Sequence, residues 1–145
     1  MFNIVLHQPE IPPNTGNIIR LCANTGSKLH LIHPLGFVIS EKNLERAALD
    51  YGEGVEIIHH KNFEAFLQNT QLKSYYSVST KGETMMNDIS IKAEDYLMFG
   101  SETKGLPKGC LTHEKCQKVI RIPMADGSRS LNLSNSVAII VYFAL

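Results

Sequence analysis

The chain has 145 residues, 43% of them hydrophobic and 19% charged, and its acidic and basic side chains balance to a formal net charge of zero. This length suits one domain with a sizeable core, which we predict to span residues 1–145. No apolar run approaches about 18 residues, so neither a transmembrane helix nor a membrane partner is expected. The neutral charge weighs against a broad nucleic-acid surface, although a local basic face remains compatible with it.

Two further features indicate where the protein works. The amino terminus lacks the basic segment of a secretory signal and enters an alternating strand pattern at once. The three cysteines, Cys22, Cys110 and Cys116, are an odd number, and reduced thiols are their plainest interpretation in a chain without an export signal. We therefore predict a cytoplasmic protein.

The predicted elements alternate between strand and helix from the start of the chain. A first strand is predicted at 3–7, where two prolines then interrupt it. Asn14 suits the N-cap of a helix that runs to about Thr25 and ends at Gly26. Further strands are predicted at 29–33, 55–59, 75–79, 97–100 and 119–122, and helices at 44–50, near 63–67, at 111–115 and at 131–145. Ser130 is the predicted cap of the last helix.

This alternation predicts an α/β fold, with a mostly parallel sheet that carries helices on both faces. The chain shows no internal repeat, low-complexity tract or linker, which agrees with a single domain. His59 and His60 are predicted to lie at the surface.

The most informative segment is GSETKGLP at residues 100–107, which follows the strand predicted at 97–100. A strand, a polar loop between glycines and a helix start are typical of ligand sites at the strand ends of open α/β sheets. The loop is not a phosphate loop, because Leu106 stands where a lysine and a hydroxyl would follow the second glycine. The dinucleotide fingerprint is also absent after the first strand. An ordinary strand-to-helix turn is the alternative for this segment.

Two other segments favour a specific interpretation of that loop. NTGNIIR occupies residues 14–20, and IRIPM at 120–124 is followed by SLNLSNSVA at 130–138. In order and spacing, the three segments resemble the motifs of the SPOUT class (SpoU type) of S-adenosylmethionine-dependent RNA methyltransferases. Within that class the chain is most similar, from Met1 to Leu145, to the small single-domain enzymes that methylate the ribose 2′-hydroxyl at the tRNA wobble position.

The resemblance implies S-adenosyl-L-methionine as cofactor, tRNA as partner, a homodimer, and a deep trefoil knot in the C-terminal third. General rules of chain topology would not predict a knot. The cofactor would be bound by three loops, through Val78, Ser79, Thr80, Gly100, Ile122, Met124, Ser130 and Leu131. Gly100 would let the backbone approach the ligand, and the apolar members would line the adenine. Plain core packing is the alternative for those apolar side chains.

The resemblance also implies catalytic roles for Arg20 and Tyr142, with Asn14, Arg20 and Glu102 on the substrate side. Arg20 would face the cofactor of the partner subunit. Its guanidinium stays protonated, so holding a phosphate or stabilising a developing alkoxide suits it better than acting as a base. Glu102 would orient that arginine or a ribose hydroxyl. The alternatives are a solvated arginine and carboxylate, a cap at Asn14 and a core tyrosine.

A zinc site is the alternative suggested by Cys110, His113 and Cys116. Three ligands at this spacing drift around a helix face, so we predict no metal.

Three other functions remain open. The same chemistry could act on another RNA, such as ribosomal RNA, because the motifs describe only the cofactor and the ribose. A non-catalytic RNA- or nucleotide-binding module is disfavoured by Arg20 and the intact loop at Gly100. A nucleotide-dependent transferase of flavodoxin-like fold is disfavoured by the missing phosphate loop.

Overall fold

A computed structural model of the chain describes residues 1–38 and 54–145. In this part of the chain, seven strands form one sheet in the order β3-β2-β1-β6-β4-β7-β5, and all of its strand pairs are parallel. The strands are β1 Asn3–His7, β2 Lys28–Ile32, β3 Ile57–His60, β4 Tyr75–Val78, β5 Thr84–Met85, β6 Tyr96–Phe99 and β7 Cys116–Arg121. The helices are α1 Pro12–Thr25, α2 Phe63–Thr70, α3 Lys108–Thr112 and α4 Leu133–Ala144, and a 3₁₀ turn spans Met86–Asp88. The helix predicted at 44–50 lies outside the described residues.

Helices cover both faces of the sheet, as the alternation of elements predicted. Neighbouring residues of a strand point to opposite faces, and the core divides accordingly into two clusters. The first lies between the sheet and helices α1 and α4, and includes Ile4, Leu6, Leu97, Phe99, Ile18, Ile19, Val137 and Ile140. The second lies on the other face with α2 and α3, and includes Val5, Met98, Tyr75, Phe66 and Cys110. The predicted α/β class is confirmed.

Helix α1 begins two residues before the predicted cap. Ile11 is its N-cap and the helix starts at Pro12, so Asn14 lies inside the first turn and its prediction as a cap was wrong. The first helical positions need no N–H donor, and the fixed φ of proline suits them, so the prolines start the helix rather than merely ending the strand. Gly26 ends α1 in the left-handed conformation with φ 66°, as predicted.

Helix α4 begins later than predicted, because Asn132 rather than Ser130 is its cap. The Asn132 side chain accepts a hydrogen bond from the backbone N–H of Asn135 at 3.2 Å. The segment between β7 and α4 therefore remains non-helical from residue 122 to residue 132. This segment covers the carboxyl end of the sheet, where the site described below lies.

Two further predictions were wrong, and one strand was not predicted. The helix placed at 111–115 lies at Lys108–Thr112 instead. The strand β5 at Thr84–Met85 was missed, because two residues are too short for an alternating pattern to be recognised. His60 is buried rather than at the surface, since its Nε2 lies 2.9 Å from His30 Nδ1 and its ring stacks on that of His30.

Over the residues that the structure describes, no helix combines the length and apolar character needed to cross a membrane.

Candidate active site

A cavity of about 220 Å³ opens at the carboxyl ends of three neighbouring strands, β6, β4 and β7. Because these strands are parallel, their last residues Phe99, Val78 and Arg121 meet at one edge of the sheet. The loops that follow the three strands form the walls, and the first turns of α4 close one side through Leu133 and Ser136.

The cavity brings together the three loops that were predicted to bind the cofactor. All eight residues predicted to bind the cofactor line it, and so does Glu102: the set is Val78, Ser79, Thr80, Gly100, Glu102, Ile122, Met124, Ser130 and Leu131. The lining does not include Asn14, Arg20 or Tyr142. The predicted cofactor residues therefore share one site within a single chain, whereas the predicted catalytic residues lie outside it.

Sequence analysis missed several residues of the lining, among them the cations Lys81, Lys104 and Arg121. Two of them were adjacent to residues that it did select, since Lys81 follows Thr80 and Arg121 lies within the IRIPM segment. Alternation along a strand indicates which side chains share a face, but it does not indicate which face borders a cavity.

Gly100 is required by the shape of its own loop. A Cβ at this position would lie 2.2 Å from the backbone carbon of Gly105 and 2.3 Å from the backbone nitrogen of Leu106. The loop folds back on itself through a bridge between Ser101 and Gly105 and a hydrogen bond from Gly105 N–H to Ser101 O at 3.0 Å. Close approach of the loop is therefore sufficient to require the glycine, and approach of a ligand to its backbone stays a prediction.

The carboxylate of Glu102 is held by three donors. Oε1 accepts from the Glu10 backbone N–H at 2.8 Å, and Oε2 accepts from the Ile11 N–H at 2.7 Å and from Asn14 Nδ2 at 3.1 Å. The N-terminus of a helix carries unpaired N–H groups and a partial positive charge, both of which favour a carboxylate. Glu102 therefore connects the loop after β6 to the start of α1.

Asn14 extends this connection to the third motif. Its Oδ1 accepts from Asn132 Nδ2 at 3.1 Å, and Asn132 is the cap of α4. One chain of hydrogen bonds, Glu102–Asn14–Asn132, thus joins the three motif segments. Glu10 strengthens it from the opposite side, since its Oε1 accepts from the Thr103 hydroxyl at 2.6 Å. The hydrogen bond from that hydroxyl is the main cause that lowers the pKa of Glu10.

Arg20 and Tyr142 are both exposed, on the neighbouring helices α1 and α4. Tyr142 is 54% exposed, and Ile139, Phe143 and Leu145 are also exposed on or beside α4. Apolar side chains at this density on one short helix are unusual for a free surface.

The residues of the alternative zinc site are not arranged as ligands. Cys110 is buried on α3, and burial raises the pKa of its thiol to about 12, so it remains a protonated thiol. Within residues 1–38 and 54–145, no group of three His, Cys, Asp or Glu side chains could hold a metal ion.

The chain is similar over nearly its whole length to one protein family, to individual relatives and to solved structures. Residues 1–142 match the profile of the SpoU rRNA Methylase family. The tRNA (cytidine(34)-2'-O)-methyltransferase of Saccharophagus degradans is 53% identical over 144 residues, covering 99% of this chain and 94% of its own. A solved structure described as giving insights into the 2-OH methylation of C/U34 on tRNA has a TM-score of 0.89 at 41% identity, covering 99% of this chain and 93% of that chain. An AdoMet-bound rRNA methyltransferase from Sinorhizobium meliloti has a TM-score of 0.82 at 25% identity, covering 99% of this chain and 55% of that chain.

Proposed function

The chain belongs to the SpoU rRNA Methylase family, as its motifs predicted, and we propose that it transfers a methyl group from S-adenosyl-L-methionine to the ribose 2′-hydroxyl of nucleotide 34 of tRNA. The observation that carries this proposal is the convergence of the three loops predicted to bind the cofactor on one cavity at the carboxyl ends of β4, β6 and β7. The substrate is taken from the names of a relative that is 53% identical and of a solved structure that is 41% identical.

The residues of the cavity suit an adenosyl cofactor. Ile122, Met124 and Leu131 offer apolar surface for a base, and the strand ends at Val78 and Gly100 offer backbone polar groups for its edge. The cofactor supplies an activated methyl group on a sulfonium, so the protein has to hold the acceptor oxygen in line and manage the charge on it. The S. meliloti structure, with AdoMet bound, supports this assignment.

We propose that Arg20 and Tyr142 act on the RNA side, from a second copy of the chain. Neither lines the cavity of its own chain, and both project from helices α1 and α4. The exposed apolar side chains at Ile139, Phe143 and Leu145 favour burial in a homodimer. The guanidinium of Arg20 would stabilise negative charge on the 2′-oxygen, because it stays protonated and cannot accept the proton.

Asn14 and Glu102 receive a positioning role in this proposal. Both side chains are occupied by the hydrogen bonds that join the motif loops, so they hold α1, and with it Arg20, against the cofactor loop. A ribose hydroxyl would have to displace one of these bonds to reach the Glu102 carboxylate.

Three expectations from the family resemblance complete the proposal. Residues 1–145 form a single domain, which the single sheet with a core on each face supports. The segment after β7 passes through the loops near 79–82 and 100–106 as a trefoil knot, which the convergence of these loops around it supports. The protein acts in the cytoplasm, where its tRNA substrate and its free cysteines fit.

The test is transfer of a tritiated methyl group from S-adenosylmethionine to purified tRNA and, separately, to ribosomal RNA, followed by mapping of the labelled nucleotide. We expect label in tRNA at nucleotide 34. Label confined to ribosomal RNA would instead support the alternative RNA substrate. Calorimetric binding of S-adenosylmethionine without transfer to any RNA would indicate a non-catalytic module.

The dimer is tested by mixing two impaired variants at a limiting concentration of S-adenosylmethionine. Arg20→Ala removes the proposed RNA-side group, and Gly100→Ala disrupts the cofactor loop. A heterodimer contains one site in which both halves are intact, so mixed subunits should regain part of the activity. Lys73→Ala, at an exposed cation remote from the cavity lining, serves as the control. Heterodimers that form without regaining activity would show that Arg20 does not act in trans.

A further inference from the structure

The mouth of the cavity carries more positive charge than the neutral chain as a whole. Its lining contains Lys81, Lys104 and Arg121 as cations and Glu102 as an acidic residue. The Glu102 oxygens already accept hydrogen bonds from the backbone N–H groups of Glu10 and Ile11 and from the Asn14 amide. Lys104 lies close enough to the Glu10 carboxylate to lower its pKa. Lys81 and Arg121 therefore remain as the two cations of the lining whose charge is least offset.

Neither of these two side chains is paired with a carboxylate within the described residues. The ion pair found in 1–38 and 54–145 joins Lys28 and Glu56, near the edge of the sheet formed by β2 and β3 and away from the strands of the cavity. Arg121 donates from Nη2 to the Met85 sulfur at 3.5 Å. A thioether is a weak acceptor, so this contact orients the guanidinium while leaving most of its donors available.

A glycine places Lys81 beside the end of β7. A Cβ on Gly82 would lie 2.7 Å from Val119 O, 2.8 Å from the Ile120 carbonyl carbon and 3.0 Å from Arg121 N, so only glycine lets this turn lie directly on the strand. The turn is also held by hydrogen bonds from Ser79 N–H to Ile120 O, from Gly82 N–H to Ser79 O and from Lys81 N–H to the Ser79 hydroxyl, at 3.0, 3.0 and 3.1 Å.

We propose that Lys81 and Arg121 form an oxyanion-binding pair that holds a phosphodiester of the RNA next to the nucleotide to be methylated. This inference rests on the proposed function and adds the group by which the site recognises its polyanionic substrate. Both side chains are exposed at the mouth, which suits a ligand that arrives from solvent. Both residues line the same cavity. The planar guanidinium can donate paired hydrogen bonds to a phosphate, and the ammonium can bind the same group as a point charge.

The test compares Arg121→Gln and Lys81→Gln with Lys118→Gln, which removes an exposed cation from the same strand outside the lining. The probe is a transcribed tRNA, and the measurement is its equilibrium binding to the full chain over a range of salt concentrations. For each variant of the pair we expect roughly tenfold weaker binding at low salt and a salt slope less steep by about 0.7, the value for one single-stranded phosphate contact. Arg121→Lys should keep the slope, because it keeps the charge.

Two further measurements separate the possible sources of the anion. Calorimetry should show unchanged S-adenosylmethionine affinity, and steady-state transfer should show a raised KM for tRNA with kcat nearly unchanged. Weaker cofactor binding with an unchanged RNA slope would assign the pair to the cofactor carboxylate and overturn the proposal. Slopes equal to that of Lys118→Gln would overturn it as well. Because the RNA-binding arm needs no turnover, its result is distinguishable from a failure of the proposed function, which appears as absence of methyl transfer by the unsubstituted chain.

Discussion

Replacing Glu102 by Gln tests whether this residue positions the loops or contacts the substrate. Glutamine has the same shape but a single acceptor oxygen, whereas the Glu102 carboxylate accepts two backbone N–H groups, from Glu10 and Ile11, on separate oxygens. One N–H would therefore face the NH₂ group of the glutamine. Hydrogen bonds to a charged group contribute about 1.5–3 kcal/mol each, and a carboxylate near a helix N-terminus adds about 0.5 kcal/mol.

Solvent reduces this loss, because Ile11 is exposed and its N–H can be hydrated. We therefore expect the free energy of unfolding to fall by about 2 kcal/mol, and the Tm by roughly 4–8 °C for a chain of this length. Local opening of the same size corresponds to roughly 30-fold faster hydrogen exchange at the Glu10 and Ile11 amides. Methyl transfer should decrease as well, since α1 carries Arg20.

The assay combines amide exchange, denaturant unfolding at one fixed protein concentration, and single-turnover transfer. Glu114→Gln is the matched control, because Glu114 is exposed and no hydrogen bond to its carboxylate is present among the described residues. Loss of transfer with unchanged exchange and unchanged stability would refute the positioning role and would support direct contact between Glu102 and the ribose.

Three further predictions follow from the site and the core. Gly100→Ala should weaken S-adenosylmethionine binding about 10- to 100-fold, because its Cβ would overlap the Gly105 backbone. The control is Gly109→Ala, where a Cβ meets nothing within 4 Å. Equal affinities of the two variants for S-adenosylmethionine would contradict the loop argument. Arg20→Lys should lose roughly 2 kcal/mol in single-turnover transfer at unchanged cofactor affinity, since lysine lacks the planar fork; full activity would show that a point charge suffices. His30 is buried, and burial, followed by the charge of a protonated His60, lowers its pKa to about 4. The unfolded chain thus binds more protons below about pH 6.5, so stability should be complete above that pH and fall by about 3 kcal/mol towards pH 4. Urea unfolding at several pH values tests this, and a profile that His30→Gln leaves unchanged would refute it.

Local patterns in the sequence determined most of the secondary structure and the composition of the cofactor loops. The apolar run at 4–6 indicated β1, whose five residues are all buried, and Gly26 marked the end of α1. Both signals are properties of short segments. The eight predicted cofactor residues also line the cavity, because parallel strands bring their carboxyl ends, and so the segments that follow them, to one edge.

Tertiary structure alone decided which side chains meet across that edge. Glu102 and Asn14 are 88 residues apart in sequence, and Asn14 and Asn132 are 118 apart, so no local pattern indicates their hydrogen bonds. Gly82 likewise appears unremarkable until β7 lies against it. The order of the strands places β4 between β6 and β7, and this arrangement determines that Lys81 and Arg121 border the same cavity. The sequence thus indicated which residues form the cofactor loops. Their hydrogen-bond partners depend on the packing of distant segments, which local sequence patterns do not reveal.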